Sequence, residues 1–218
     1  MRSNTPFHKT PRHAFTLIEL IVVVGIMILV MAFVVPSMGP LMRSSNMNKA
    51  TAMITDELNY ARQQALTQNR DVEVRFYQLP SKSNSTDIQY RAFRSFSMIG
   101  SGTTQAALSP IKYLPEPVVI STASDSSGNT LSTLLSGTNV GSGLTQNTVG
   151  ETLTTGAQAP YISFLFRAPG GTSLAISNNW YLTIYLENAP KNATTGFPAN
   201  YFTAQVDAVT GRVRSYRP

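Results

Sequence analysis

The 218-residue chain contains no cysteine. A disulfide framework, a thiolate metal site and a cysteine nucleophile are therefore excluded. Histidine is almost as scarce. His8 and His13 both lie in the first 13 residues, and the body of the chain has none. An ordinary zinc site and a His-dependent triad are excluded with it, leaving only oxygen-ligand metals or carboxylate or lysine chemistry. Adjacent acids such as Asp56 and Glu57 do not make a catalytic pair, because neighbours on a helix point about 100° apart. An enzyme is not expected, nor is a cofactor, a metal or a small-molecule substrate. Charge is also sparse, at 13% of residues against 42% hydrophobic. That balance excludes a chain disordered throughout.

The net charge of +6 is unevenly placed. Arg2, Lys9 and Arg12 precede any acid, and the remainder carries 14 Lys and Arg against 11 Asp and Glu. Half of the basic excess thus sits at the N-terminal tip, so the overall charge is weak evidence for nucleic-acid binding by the body. From Phe15 to Val35 only Thr16, Glu19 and Gly25 interrupt an apolar run of 21 residues. As a helix this run is roughly 31 Å long, about one bilayer core. Bases before it, and none after it until Arg43, predict a cytoplasmic tip and an external body. No small-residue cleavage site follows the run, which argues against an ordinary secretory signal peptide. Glu19 stands out, since a carboxylate in an apolar span needs a cation or an interface.

Ala14-Phe15-Thr16-Leu17-Ile18-Glu19 resembles the processing site of class III signal sequences of type IV pilins and type II secretion pseudopilins. The resemblance implies cleavage between Ala14 and Phe15 by a prepilin peptidase and N-methylation of Phe15. It makes Glu19 the fifth mature residue, paired in assembly with a neighbour's terminal amine. Pro36 falls where the family has a helix-perturbing proline. Ala14 departs from the usual glycine. The partners implied are the inner membrane, the peptidase and other subunits. The location implied is the bacterial inner membrane, N-terminus cytoplasmic and head periplasmic, with incorporation into a filament.

The expected organisation is a leader at 1–14, a membrane or filament-core helix at 15–35, an amphipathic helix at 36–69 after a Pro/Gly break, and a β-rich head at 70–218. Met47, Ala50, Ile54, Leu58, Ala61 and Ala65 recur at spacings of three and four, which predicts the amphipathic helix. The period then changes to two. Val72, Val74 and Phe76 alternate with Glu73, Arg75 and Tyr77. Further strands are expected at 88–96, at 117–121 as a short edge, and at 161–167, 180–187, 201–208 and 212–216. The fold class is α+β: a pilin-like helical spine on a mostly antiparallel sheet of about six or seven strands. Of residues 122–159, 24 are Ser, Thr, Gly or Asn, and only Asp125 and Glu151 are charged. That stretch reads as a long surface loop, with Leu131, Leu134 and Leu135 as a small packed clip.

Three further stretches refine the resemblance. Tyr60 to Phe76, Phe164-Leu-Phe-Arg-Ala-Pro-Gly-Gly171 and Ala204 to Arg214 resemble minor pseudopilins of the GspH/FimT type. Asn69 to Gln78, Tyr90-Arg-Ala92 and Thr210 to Pro218 look closer to the Verru_Chthon cassette protein D family. The leading expectation is a minor pilin or pseudopilin subunit, and the absence of a disulfide fits a minor role. The alternative is DNA binding by a basic tail of Arg212, Arg214 and Arg217, since Gly211-Arg-Val-Arg214 resembles a motif of DNA-uptake members. The competing plain reading is a charged edge strand that discourages sheet pairing.

Overall fold

In the computed structural model of the chain, residues 15–82, 85–99, 104–121, 131–153, 156, 158–192 and 197–217 are described, without the side chains of 33–38. The chain divides into two units, 1–42 and 43–218. Helix α1 is assigned from Leu17 to Gln68. The expected break at Pro36, Gly39 and Pro40 is not present in the backbone, which stays helical through all three. Each proline removes one N–H, but its φ near −65° is itself helical, so the loss is local.

In the second unit the six stripe residues of α1 are all 2% exposed or less. They pack into one core with the facing side chains of the sheet. Each fully buried Leu or Ile of this kind contributes about 1.5–3 kcal/mol. The helix ends at Asn69, whose φ of 50° is left-handed. Arg70 N then donates to the Ala65 carbonyl at 3.3 Å, the six-to-one bond of a Schellman cap.

The strands are β1 Val72–Pro80, β2 Ile88–Ile99, β3 Thr104–Ala107, β4 Lys112–Tyr113, β5 Val118–Ile120, β6 Thr145–Thr152, β7 Gln158–Phe166, β8 Trp180–Leu186, β9 Tyr201–Val206 and β10 Val213–Tyr216. They form one sheet in the order β10-β9-β8-β5-β2-β1-β7-β6, with β3 and β4 also paired to β2. Every ladder between these strands is antiparallel. The α+β class and the antiparallel sheet agree with expectation. The count does not: there are ten strands among the described residues, not six or seven.

The extra strands lie where local pattern is weakest. β3 and β4 are four and two residues long. β6 falls inside the Ser/Thr/Gly-rich stretch and pairs with β7, so 122–159 is not simply a surface loop. Leu131, Leu134 and Leu135 are fully buried, the last two within a short 3-10 turn, Thr133–Leu135, that a second, Gly137–Asn139, follows. The hydroxyls there act as a substitute strand. Ser132 Oγ accepts the Thr183 N–H at 2.9 Å, and Thr133 Oγ1 accepts that of Tyr181 at 2.9 Å. They satisfy the edge of β8 beyond the end of β5, where a bare N–H would be costly. β5 itself lies between β2 and β8 and is not the edge expected at 117–121.

Candidate functional site

The first turn of α1 is built by Thr16-Leu-Ile-Glu19. Thr16 caps the helix, and Glu19 sits three residues on, the spacing of a capping box. The Thr16 N–H and Thr16 Oγ1 both donate to Glu19 Oε2 at 2.9 Å, and the Glu19 N–H reaches back to Thr16 Oγ1 at 3.3 Å. Both orphan backbone donors are satisfied by side chains. One carboxylate oxygen is thereby engaged with the residue next to Phe15, while Oε1 has no partner among the described residues. Glu19 lines a shallow cleft with Phe15, Ile18, Val22 and Val23, one helical face of its own unit.

Around this polar turn the segment is apolar on all sides. Phe15 is 86% exposed and Leu17 77%, and every described side chain to Ala32 is exposed. An apolar surface this continuous requires a covering. Among the described residues no helix is long and apolar enough to cross a membrane. The side chains described there stop at Ala32, three residues before the apolar run ends at Val35. Ala14 and the leader lie outside the described residues, and of Pro36 only the helical backbone is described.

Comparison with known proteins decides what this segment is. Residues 9–35 match the family model described as the prokaryotic N-terminal methylation motif.

The chain carries a prokaryotic N-terminal methylation motif.

No curated protein sequence matches the chain. Among solved structures, the type IV minor pilin FimU of Pseudomonas aeruginosa (strain PAO1) aligns with a TM-score of 0.44 and 12% identity. It covers 82% of this chain and 97% of its own. The minor pseudopilin EpsH from the type 2 secretion system of Vibrio cholerae aligns at 0.42 and 8%, covering 79% and 98%. With both TM-scores below 0.5, the fold description rests on the strands and helix of this chain itself.

The C-terminal arginines lie in and around the last strand. Arg212 lies before β10, in the closing turn, and is exposed. Arg214 is within β10, and its charge, after hydrogen bonds from Thr210 and Val209, helps hold the Asp207 carboxyl below the usual range. Arg217 donates to Asn48 Oδ1 of α1 at 3.2 Å. Arg217 is thus engaged with α1, while Arg212 and Arg214, two residues apart, are both exposed.

The stretches that resemble minor pseudopilins come together instead at the end of α1. Asp71 accepts the Ala168 N–H at 3.0 Å and faces Arg167 at 3.4 Å. Arg62 Nε donates to the Thr210 carbonyl at 3.0 Å. Gly211, at φ 63°, fits against Gly170 and the Phe166 ring, where an added Cβ would meet atoms at 2.9–3.3 Å. These motif residues hold two turns against each other.

Sequence reading missed two buried polar clusters. Arg75 is only 6% exposed and lies between the rings of Phe96 and Tyr161, at 4.2 and 4.6 Å. It pairs with Glu73 at 2.7 Å and Glu151 at 2.8 Å, and also meets Gln105. Burial pulls the guanidinium down, but its bonds to Glu73 and Glu151 outweigh that and raise it. Tyr77, also donating to Glu151, is pushed up by burial and by that bond. The available signal was Glu151, one of only two charged residues in the stretch 122–159. The second cluster is Glu57, 1% exposed, which accepts from Ser95 Oγ at 2.5 Å and Ser109 Oγ at 2.6 Å and faces Lys112 at 2.7 Å. The available signal was its spacing, since position 57 falls three after Ile54 and four before Ala61, inside the buried stripe.

Proposed function

We propose that this chain is a minor pilin or pseudopilin subunit of the GspH/FimT type, acting by assembly and not by catalysis. The observation that carries this is the methylation motif over 9–35, laid on an apolar segment whose only acid is Glu19. A prepilin peptidase cleaves between Ala14 and Phe15 and methylates the Phe15 amine. Residues 15–35 hold the chain in the bacterial inner membrane, N-terminus inside, and then enter the core of a type IV pilus-like or type II secretion filament. Glu19 answers the amine of an adjacent subunit, because an intramembrane carboxylate needs a cation. The helix-on-sheet head carries the partner contacts outside.

The capping box gives a clean test. Glu19→Gln keeps an acceptor for the Thr16 N–H but removes the charge, and Glu19→Ala removes both. Under the proposal, both variants insert into membranes and both lose co-assembly with filament partners. If Glu19→Gln co-assembles like the parent while Glu19→Ala does not, Glu19 acts as a helix cap and the pairing role falls.

The second reading is DNA binding through exposed Arg212 and Arg214. It predicts binding of a short duplex that weakens steeply with salt and again on Arg212→Ala with Arg214→Ala. Equal binding by parent and double variant removes it.

A further inference from the structure

β10 ends the sheet and pairs with β9 alone. The Asp207 N–H donates to the Arg212 carbonyl at 2.9 Å, so by the alternation of an antiparallel ladder 212, 214 and 216 turn their backbone groups to β9. Val213 and Ser215 turn theirs outward, and among the described residues nothing meets them. Two N–H donors and two carbonyls are thus free for one more strand. Side chains alternate as well. Val213 lies opposite Val206 and Ser215 opposite Ala204, so these two face α1, whereas Arg214 and Tyr216 face away from it. The strand is held alongside α1 at both ends, by Arg62 on the Thr210 carbonyl at 3.0 Å and by Arg217 on Asn48 at 3.2 Å. Between these anchors lies a cavity of about 280 Å³ lined by Met47, Phe202, Thr51 and Ser215.

The two faces of this edge differ in charge. On the α1 side, Arg217 and exposed Asp56 both line the cavity and offset each other. On the outer side Arg212 and Arg214 are exposed, and the acid near them, Asp207, is committed to its own turn, where it accepts the Val209 and Thr210 N–H groups at 3.0 and 2.7 Å. An added strand is therefore favoured with acids on its outer face and uncharged side chains toward α1. A second copy of this chain does not supply one. Pairing β10 with another β10 sets arginine beside arginine, which is unfavourable. The opposite edge, β6, has Glu151 as its one acid, and that is held by Arg75 and Tyr77. The only acids two residues apart in the chain are Asp71 and Glu73, and Glu73 lies in β1, between β2 and β7.

We infer that the free edge of β10 accepts an acidic strand from a subunit of different sequence, with carboxylates facing Arg212 and Arg214 and small apolar side chains turned into the cavity beside α1. Strand addition supplies affinity through main-chain bonds and specificity through alternate side chains. The basic edge thus repels its own kind and selects a complementary partner. The inference rests on the subunit reading only for the source of the strand.

The probe is the capped peptide Thr-Val-Glu-Val-Glu, carrying an uncharged dye and titrated by anisotropy into the full chain in nanodiscs of zwitterionic lipid. Laid antiparallel, like every ladder of this sheet, it sets its two Val residues opposite Ser215 and Val213 and its two Glu residues opposite Arg214 and Arg212. Saturable binding is expected, with slower exchange of the Val213 and Ser215 amides. N-methylation of both peptide Val residues removes two backbone hydrogen bonds and should weaken binding roughly tenfold or more. Arg214→Glu and, separately, Arg212→Glu, both exposed changes, should weaken this peptide and strengthen its Thr-Val-Lys-Val-Lys counterpart. Absence of saturation, equal binding of the N-methylated peptide, or indifference to both charge reversals would each overturn the inference. So would binding of a short DNA duplex that needs these arginines while the peptide leaves the two amides unprotected, which would assign the edge to phosphates. None of these readouts needs cleavage after Ala14, so a failed processing test and a failed strand-addition test are separable.

Discussion

Arg75→Met is the perturbation that most strongly engages the hidden polar layer of the head. The side chain keeps much of its length, so packing against Phe96 and Tyr161 is partly retained. What disappears is the cation held at 2.7 Å from Glu73 and 2.8 Å from Glu151. Glu73 keeps its bond from Ser163 Oγ at 2.6 Å and Glu151 keeps Tyr77, but two carboxylates then share a covered site without the charge between them. Breaking a buried pair from one side costs about 3–5 kcal/mol. For a domain of this size that is a loss of roughly 10 °C in melting temperature. Chemical denaturation of residues 43–218 followed by circular dichroism would measure it. Adding Glu73→Gln and Glu151→Gln to Arg75→Met should restore at least half of the loss, because the stranded charges are gone. A cost below about 1 kcal/mol for Arg75→Met, typical of exposed pairs, would refute the reasoning. So would a triple variant no more stable than the single one.

Two further predictions concern the head. Gly211→Ala should destabilise it by more than the ~1 kcal/mol usual for point changes, since φ is 63° and the new Cβ would meet the Gly170 carbonyl at 2.9 Å; an unchanged denaturation midpoint would show that the two turns yield freely. Tyr90 is pushed up to about 12, chiefly by burial. A phenol raised above its unfolded value near 10 adds stability below that pH and loses it as pH rises toward 12. Ultraviolet titration should therefore show a late phase, from Tyr77 and Tyr90, delayed until alkaline unfolding; a Tyr90→Phe variant with an unchanged late phase would contradict the assignment for Tyr90.

Periodicity made the helix and the long strands legible. Six apolar positions of α1 at spacings of three and four are the six that reach the core, and Ile162, Phe164 and Phe166 are buried as their alternation predicts. β5 could be placed by its short apolar run but not assigned its neighbours, because three buried residues look alike at an edge and between strands. β6 was illegible for a physical reason. Thr, Gln and Asn satisfy turns as readily as ladders, and the strand is specified by pairing with β7, a partner next to it in space but not marked in its own composition. The same holds for the polar clusters. Glu73 and Arg75 alternate as a half-exposed strand would, and only the chain at Gln105 and Glu151 reveals that this second face is covered. At the N-terminus the residues themselves were sufficient to indicate the methylation motif. The capping box is equally readable in Thr16-Leu-Ile-Glu19, where the same carboxylate that stands out as a charge in an apolar span also bonds the Thr16 N–H.

The central claim is that the chain enters the pilin-type assembly pathway through its N-terminus. The most direct test is the intact mass of the membrane-extracted protein from its native host. The account predicts loss of residues 1–14 and one added methyl on Phe15. Retention of Met1–Ala14 would contradict it, leaving a membrane-anchored β-rich domain whose Glu19 has no new amine to meet.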